Sequence, residues 1–237
     1  MSNQALADVI KQQLVDHASE RIVSFEHEGR RYWLKQAEKL TGAMRLLKQP
    51  ADIAIQTEIA TLQSLAAKGA AVPELVSYGS DYLVVADVGR TVTQWAYDAT
   101  TPKEKLRQVV VDSARALADL HQLGLAHGRP ALRDISWQDG VVAFIDFEAN
   151  QSQQHMHDQQ VRDLLVYIHS LYRYLYEHQD IVDEAIRTYR QTHGEAVWQA
   201  AKAKMKSWQW ANLIVAPLRK IGGKDLRPIY WLLKHFK

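Results

Sequence analysis

The spacing of apolar residues changes along the chain, and this change constrains the fold more than any other feature. The segment from Arg21 to Lys35, RIVSFEHEGRRYWLK, is rich in β-branched and aromatic residues and is divided by the turn-capable pair Glu28-Gly29. This pattern predicts a β-hairpin. From Leu106 onward, apolar residues recur at spacings typical of helix faces. The sequence therefore predicts an α+β protein, β-rich first and helical second.

Further elements are predicted in the first part. Four apolar residues mark one face of a helix that ends near Gly69: Ile55, Ile59, Leu62 and Leu65. Two short extended runs follow between residues 73 and 88. The polar run over residues 36–52 is predicted to be a loop or irregular helix. A chain of 237 residues is long enough for two small lobes. We expect an N-terminal lobe over residues 1–90, with the sheet and this one helix.

The second part is predicted as a helical C-terminal lobe over residues 91–237. A long helix begins near Pro102, because proline is tolerated in a first helical turn. A hairpin is predicted from residues 131–137 and 141–147, because Asp139-Gly140 suits a tight turn between them. Another apolar helix face runs from Val161 to Leu175, and a basic helical region ends the chain.

Composition excludes several classes of protein. The chain has no cysteine, which excludes a disulfide framework, a cysteine-ligated zinc site and a thiol nucleophile. A formal net charge of +2 is too small to attract the whole molecule to nucleic acid or membrane. The first residues are too polar for a signal peptide, and no window approaches the ~18 apolar residues of a spanning helix. We expect a soluble, cytoplasmic protein.

Two acidic residues are candidates for a metal site. The segment HGRPALRD ends at Asp134, and Asp146 lies twelve residues later, on the second arm of the predicted hairpin. Carboxylates on neighbouring arms can converge on a hard cation such as Mg²⁺, which takes one or two carboxylates together with phosphate oxygens and water. This is the ligand set of nucleotide-dependent phosphoryl transfer.

A lysine and a glutamate are candidates for nucleotide binding. Lys35 ends the strand-like run YWLK, and Glu58 lies on the helix that follows. A partly buried lysine needs a partner to stay charged, and Glu58 could hold it against nucleotide phosphates. The structural alternative is a surface ion pair of little energetic value.

Five short segments occur in order between residues 21 and 175: YWLK at 32–35, EIATLQSLAAKGAAVPEL at 58–75, YLVVADVG at 82–89, LADLHQLGLAHG at 117–128 and VVAFIDFE at 141–148. In this order they resemble the protein-kinase-like phosphotransferases. Within that superfamily the chain is similar to the bacterial lipopolysaccharide kinase group, which includes kinases of the inner-core sugars Kdo and heptose. The resemblance implies a two-lobed protein-kinase-like fold, with a small β-rich N-lobe and a larger helical C-lobe.

The resemblance also implies roles for single residues. Lys35 is similar to the lysine that contacts the phosphates of ATP, with Glu58 as its partner and Asp87 as a further candidate for nucleotide binding. Asp146 is similar to the metal-binding aspartate of the Asp-Phe-Gly motif. Asp163 is similar to a buried aspartate that braces the catalytic loop. The implied cofactors are ATP and Mg²⁺, and the implied acceptor is a small-molecule or lipid-linked sugar.

The chain departs from the family pattern in its catalytic loop. Arg129 stands where the family has an aspartate, and Asp134 stands where it has an asparagine. Asp134 can replace the asparagine as a metal ligand, but arginine cannot accept a proton at neutral pH. Arg129 could instead bind the transferred phosphoryl group or an anionic acceptor. The glycine-rich phosphate loop is absent, and Glu148 stands where glycine is common.

Two hypotheses follow from these departures. The chain is an active phosphotransferase with Arg129, Asp134 and Asp146 as catalytic residues, because positioning and charge neutralisation carry most of the rate of phosphoryl transfer. Alternatively, it is a pseudokinase that binds nucleotide or a partner and acts as a regulatory or scaffold module. A zinc hydrolase is disfavoured by the six-residue spacing of His121 and His127. The segment QHMHD at 154–158 is more typical of a solvated loop than of a transition-metal site.

The C-terminal segment is basic and aromatic. Residues 201–237 contain nine lysines and arginines against one acidic residue, with five interleaved aromatic residues: Trp208, Trp210, Tyr230, Trp231 and Phe236. This mixture suits peripheral contact with the inner face of the cytoplasmic membrane. The alternative is a final helix that packs its aromatic residues on the helical lobe. Membrane contact and a packed helix are compatible with each other. Nucleic acid is the least favoured partner, because no recognition motif accompanies the basic residues.

Overall fold

The computed structural model describes residues 2–37, 51–147, 155–211 and 223–236. Contacts between residues divide the chain into two compact units, Met1–Val88 and Gly89–Lys237. The division lies close to the predicted boundary after residue 90. Most of the polar run over residues 36–52 lies outside the described residues, as does Glu148.

The first unit contains a four-stranded antiparallel sheet. Its strands are β1 (Ile22–His27), β2 (Arg30–Gln36), β3 (Leu75–Tyr78) and β4 (Tyr82–Ala86), in the order β1-β2-β4-β3. The predicted hairpin is confirmed, since β1 and β2 are joined by Glu28 and Gly29 with φ of 49° and 74°. The two predicted extended runs are β3 and β4.

Two helices cover the two faces of this sheet. They are α1 (Ser2–Asp16) and α2 (Ala51–Ala67). Successive side chains of a strand point to opposite faces, and Leu34 of β2 packs in a cluster with Ile10 of α1. On the other face, Leu83 of β4 packs with Ile59 of α2. Lys35 follows Leu34 directly and therefore points toward α2.

The second unit is mainly helical, with a three-stranded antiparallel sheet in the order β5-β6-β7. The strands are β5 (Arg90–Thr91), β6 (Ile135–Gln138) and β7 (Val141–Phe144). The described helices are α3 (Val92–Tyr97), α4 (Lys103–Gln122), α5 (Met156–Tyr174), α6 (Gln179–Tyr189), α7 (Glu195–Lys206) and α8 (Gly223–His235). Three short turns complete the described elements: 3₁₀ turns at Leu132–Asp134 and Gln209–Ala211, and a π turn at Arg190–Gly194.

The core of this unit follows the predicted helix faces. Four residues that define the apolar face of α4 are all buried: Leu106, Val110, Leu117 and Leu120. The α+β class is thereby confirmed, with an antiparallel sheet in the N-terminal unit and a largely helical remainder.

The hairpin formed by β6 and β7 is shorter than predicted. The strands were expected over residues 131–137 and 141–147, but Leu132–Asp134 form a 3₁₀ turn and Asp146 has φ of 58°. A residue with positive φ cannot continue a strand. The ladder therefore ends at the pair Ile135 and Phe144.

The C-terminal aromatic residues divide into two groups. Trp231 stacks on Tyr172 with ring centroids 6.0 Å apart, and Phe236 stacks on Trp198 at 4.5 Å. These rings pack on the helical unit, as the packed-helix interpretation predicted. Trp208 and Trp210, in contrast, are 53% and 60% exposed. None of the described helices combines the length and hydropathy that crossing a bilayer requires.

Candidate functional site

The Lys35 and Glu58 side chains form an ion pair within the first unit. Lys35 lies on β2 opposite Leu83 of β4, and Glu58 lies on α2 just before the buried Ile59. The Lys35 Nζ atom donates to Glu58 Oε1 at 2.5 Å, and the side chains are 25% and 37% exposed. Strand β2 and helix α2 thus hold this pair, and the lysine side chain is partly buried.

Asp87 lies directly after β4, in the same unit. Its Oδ1 atom accepts a hydrogen bond from Trp33 Nε1 at 3.1 Å. Its backbone N–H donates to the carbonyl of Arg31 at 2.9 Å, which fixes the end of the strand to β2. Asp87 is therefore positioned by the sheet. Its assignment to nucleotide binding stays a prediction.

The loop that starts at His127 is held by one buried carboxylate. Asp163, on α5, accepts from the backbone N–H of His127 at 2.6 Å and from that of Gly128 at 2.8 Å. Asp163 is fully buried, and hydrogen bonds from amides to an ionised group are stronger than neutral ones. The bracing contact that the resemblance implied is present.

The His127 ring joins this loop to the end of β7. Its Nε2 atom lies 2.8 Å from the carbonyl oxygen of Ile145, and its Nδ1 atom accepts the N–H of Arg129 at 3.3 Å. Since a carbonyl can only accept, Nε2 carries a proton and donates it to Ile145. Phe147 stacks on the same ring, with centroids 4.6 Å apart. His127 is thus a scaffold residue that fixes the chain on both sides of Asp146.

Other buried polar groups of this site carried no signal in the sequence. Gln160 of α5 donates to the carbonyls of His121 and Leu125, at 2.9 and 3.0 Å. Ser170 of α5 accepts the N–H of Leu132 at 2.9 Å. One face of α5 therefore supplies several contacts to the loop, each with a residue more than thirty positions away in the chain.

Asp134 and Asp146 lie at the open end of the β6–β7 hairpin. Asp134 ends the 3₁₀ turn just before β6, and Asp146 is the second residue after the end of β7. The N–H of Ile145 donates to the carbonyl of Asp134 at 3.0 Å, so the two chain segments are directly bonded. Asp146 is exposed and adopts a left-handed conformation, which aspartate tolerates better than most residues. Both aspartates lie just beyond the strands rather than on them, because the hairpin is shorter than predicted.

The Asp134 carboxylate is buried, with a side chain only 7% exposed. Its Oδ2 atom lies 3.5 Å from Arg133 Nε, so the carboxylate forms an ion pair with that guanidinium. Burial raises the pKa of Asp134 above its ordinary value; the charges of Arg133 and Arg129 oppose this, and that of Asp146 adds to it. A second carboxylate is therefore close enough to act on the first.

This donor set fits a hard divalent cation. Mg²⁺ is commonly bound by one or two carboxylates, with phosphates and water as the other ligands. A cation would neutralise the two like charges of Asp134 and Asp146. Within the described ranges no group of three or more histidine and acidic residues could hold a metal.

Arg129 lies in the same loop. Its backbone N–H is bonded to His127. Its positive charge opposes the rise in the pKa of Asp134 that burial causes. The side chain is therefore close to the candidate metal ligands. In the first unit, the β1–β2 connection is a two-residue turn, so no glycine-rich loop covers a phosphate there.

The fold is that of an α+β protein. A lysine–glutamate pair lies in its first unit, and two carboxylates lie near the braced loop of its helical unit. No family model matches the chain. An uncharacterized protein of Haemophilus influenzae is 36% identical over 240 residues, which covers 100% of this chain and 98% of that protein. The chain belongs to the same family as this relative.

Two solved structures of the Neurospora crassa PAN3 pseudokinase, one of them a mutant, also match. The mutant is 11% identical with a TM-score of 0.34, and the match covers 83% of this chain and 64% of that chain. The other is 9% identical with a TM-score of 0.34, over 91% of this chain and 77% of that chain. Similarity at this level establishes neither a substrate nor an activity.

The Asp163→Asn variant tests the brace. An amide offers one acceptor oxygen to two N–H donors, so one buried N–H loses its partner at a cost of about 1–3 kcal/mol. We expect faster hydrogen exchange at the amides of His127 and Gly128, measured by NMR or mass spectrometry. Asp119→Asn, at an exposed position of α4, is the matched control and should leave this exchange unchanged. Equal protection in both variants would contradict the bracing role.

Asp134→Asn tests the electrostatics of the loop. The raised pKa of Asp134 means that folding favours its neutral form, so this group stabilises the fold at low pH and the contribution is lost as pH rises through the folded pKa. Near neutral pH, with a chelator present, the variant should therefore melt at a higher temperature than the wild type. Differential scanning calorimetry measures this. A lower melting temperature would show that the ionised carboxylate stabilises the metal-free fold.

Proposed function

We propose that the protein is an ATP- and Mg²⁺-dependent phosphotransferase that acts on a small-molecule or lipid-linked sugar. The proposal rests on one observation above the others: two carboxylates lie close together at the end of the β6–β7 hairpin, and one of them is buried with a raised pKa although Arg133 and Arg129 lie nearby. A carboxylate whose pKa is raised by burial reduces the stability of the fold when it is ionised. Such groups cluster at functional sites.

The residues are assigned to separate tasks. Asp134 and Asp146 bind the metal ion, while Asp163 and His127 hold the loop that positions them. Lys35, fixed by Glu58, binds nucleotide phosphates. When bound, Mg²⁺ supplies neutralisation of the charge on the phosphate oxygens. The transfer forms a bond from the acceptor hydroxyl oxygen to the γ-phosphorus and breaks the bond to the ADP oxygen.

We assign Arg129 to the binding of an anion rather than to the transfer of a proton. A guanidinium stays charged at neutral pH and cannot act as a general base. It can bind a phosphoryl oxygen or an anionic group of the acceptor in a bidentate manner. The hydroxyl proton then leaves to solvent, which a largely dissociative transition state tolerates. The sugar acceptor itself is proposed from the resemblance to lipopolysaccharide kinases alone.

The second candidate function is a pseudokinase that binds nucleotide or a partner without phosphoryl transfer. The observation that favours it is again Arg129, because the loop lacks the aspartate that accepts a proton in the related enzymes. Both functions predict nucleotide binding. They differ in whether ATP is consumed in the presence of an acceptor.

Mg²⁺-dependent nucleotide binding is tested with Asp146→Asn. Even changes to groups around metal ligands lower metal affinity about 10–100-fold, so loss of a ligand charge should weaken Mg·ATP binding at least about tenfold. Isothermal titration calorimetry measures the affinity. Asp139→Asn is the matched control, because it makes the same change at the turn of the same hairpin, at an exposed residue. Equal weakening by both variants, or no binding by the wild type, would refute the metal site.

Turnover of Arg129→Asp separates the two functions. If Arg129 binds the transferred group or acceptor, replacing it by aspartate introduces a repulsive charge, and ATP consumption with Mg²⁺ and Kdo- or heptose-containing acceptors should fall below wild type. Release of ADP measures this. If the wild type consumes no ATP with any acceptor and the variant does, the natural protein is a pseudokinase.

A further inference from the structure

A groove on the helical unit is lined by α5, α7 and α8. Its volume is about 560 Å³. Three apolar side chains form part of its lining: Leu165 and Val166 of α5 and Leu232 of α8. The described part of its lining is otherwise polar or charged, so the groove is amphipathic.

The charged residues of the groove are mostly basic. The cations Arg162 of α5 and Lys204 of α7 line it together with the imidazole of His169, against one acidic residue, Asp158. Asp158 has a basic neighbour, since its Oδ2 atom lies 3.9 Å from Nδ1 of His155. Neither Arg162 nor Lys204 forms an ion pair with any carboxylate in the described ranges. Two positive charges are therefore available to an anion from outside the chain.

Two exposed indoles follow helix α7, which lines the groove. Trp208 and Trp210 follow the end of α7, four and six residues after Lys204, and are 53% and 60% exposed. Gln209, between them, donates to the carbonyl of Leu233 at 3.1 Å, and Leu233 is the neighbour of the groove residue Leu232. This hydrogen bond fixes the Trp208–Trp210 segment against α8. Two more exposed lysines, Lys202 and Lys206, lie on α7.

We propose that this surface, defined by Arg162, Lys204, Trp208, Trp210 and the apolar groove, docks the protein on an anionic phospholipid bilayer. Exposed tryptophans are enriched where membranes meet water, and basic residues are attracted to anionic headgroups. An apolar groove beside unpaired cations offers both parts of a phospholipid a complementary surface. The inference is independent of the phosphotransferase proposal, because the binding needs no nucleotide.

The experiment is co-sedimentation of the full chain with vesicles, without nucleotide. Binding is expected to vesicles that contain one third phosphatidylglycerol, to weaken at high salt, and to be absent with phosphatidylcholine alone. The double variant Arg162→Glu/Lys204→Glu should bind the anionic vesicles at least about tenfold more weakly. Both side chains are exposed, so circular dichroism should show an unchanged fold.

The matched control is Lys11→Glu/Lys68→Glu. It makes the same change of net charge at two exposed lysines of the first unit and should bind as the wild type does. A second readout is tryptophan fluorescence: anionic vesicles should shift the emission to shorter wavelength, and Trp208→Phe/Trp210→Phe should lose most of this shift. Equal weakening of both charge variants, no vesicle binding by the wild type, or binding of RNA in place of vesicles would overturn the proposal.

Discussion

The contact of Asp163 with two backbone N–H groups is the interaction on which the site depends. Helix α5 is fixed in the core, and its buried carboxylate holds His127 and Gly128. The His127 ring in turn donates to the carbonyl of Ile145, so the segment that follows β7 is bonded to the same loop. A loop would otherwise retain conformational freedom, but here its two ends are bonded to rigid elements. Asp134 and Asp146 are positioned by this chain of contacts rather than by their own side chains.

The electrostatics of the loop oppose its stability. Asp134 is buried near a second carboxylate, and its pKa is raised although two arginines lie nearby. An ionised carboxylate at this position costs free energy of folding. The positive charge of Arg129 partly offsets the charge at Asp134.

Turn residues and apolar spacing in the sequence predicted most helices and strands. Contacts between residues far apart in the chain could not be predicted from the sequence. The β1–β2 hairpin and helix α2 follow from turn residues and spacing, and both are present. Strand β5 has only two residues and exists because it pairs with β6, some forty-five positions later. The hairpin arms were overestimated because no local pattern marks the 3₁₀ turn before β6. Ser170 gave no signal either, since its role depends on the position of Leu132 in space.

The most direct test is a crystal structure of the protein with Mg²⁺ and a non-hydrolysable ATP analogue. One Mg²⁺ is expected to bind to oxygens of Asp134 and Asp146, with phosphate oxygens of the nucleotide among its other ligands. The backbone N–H groups of His127 and Gly128 should still be bonded to Asp163. A nucleotide bound elsewhere, or a metal ion that contacts neither aspartate, would contradict the account.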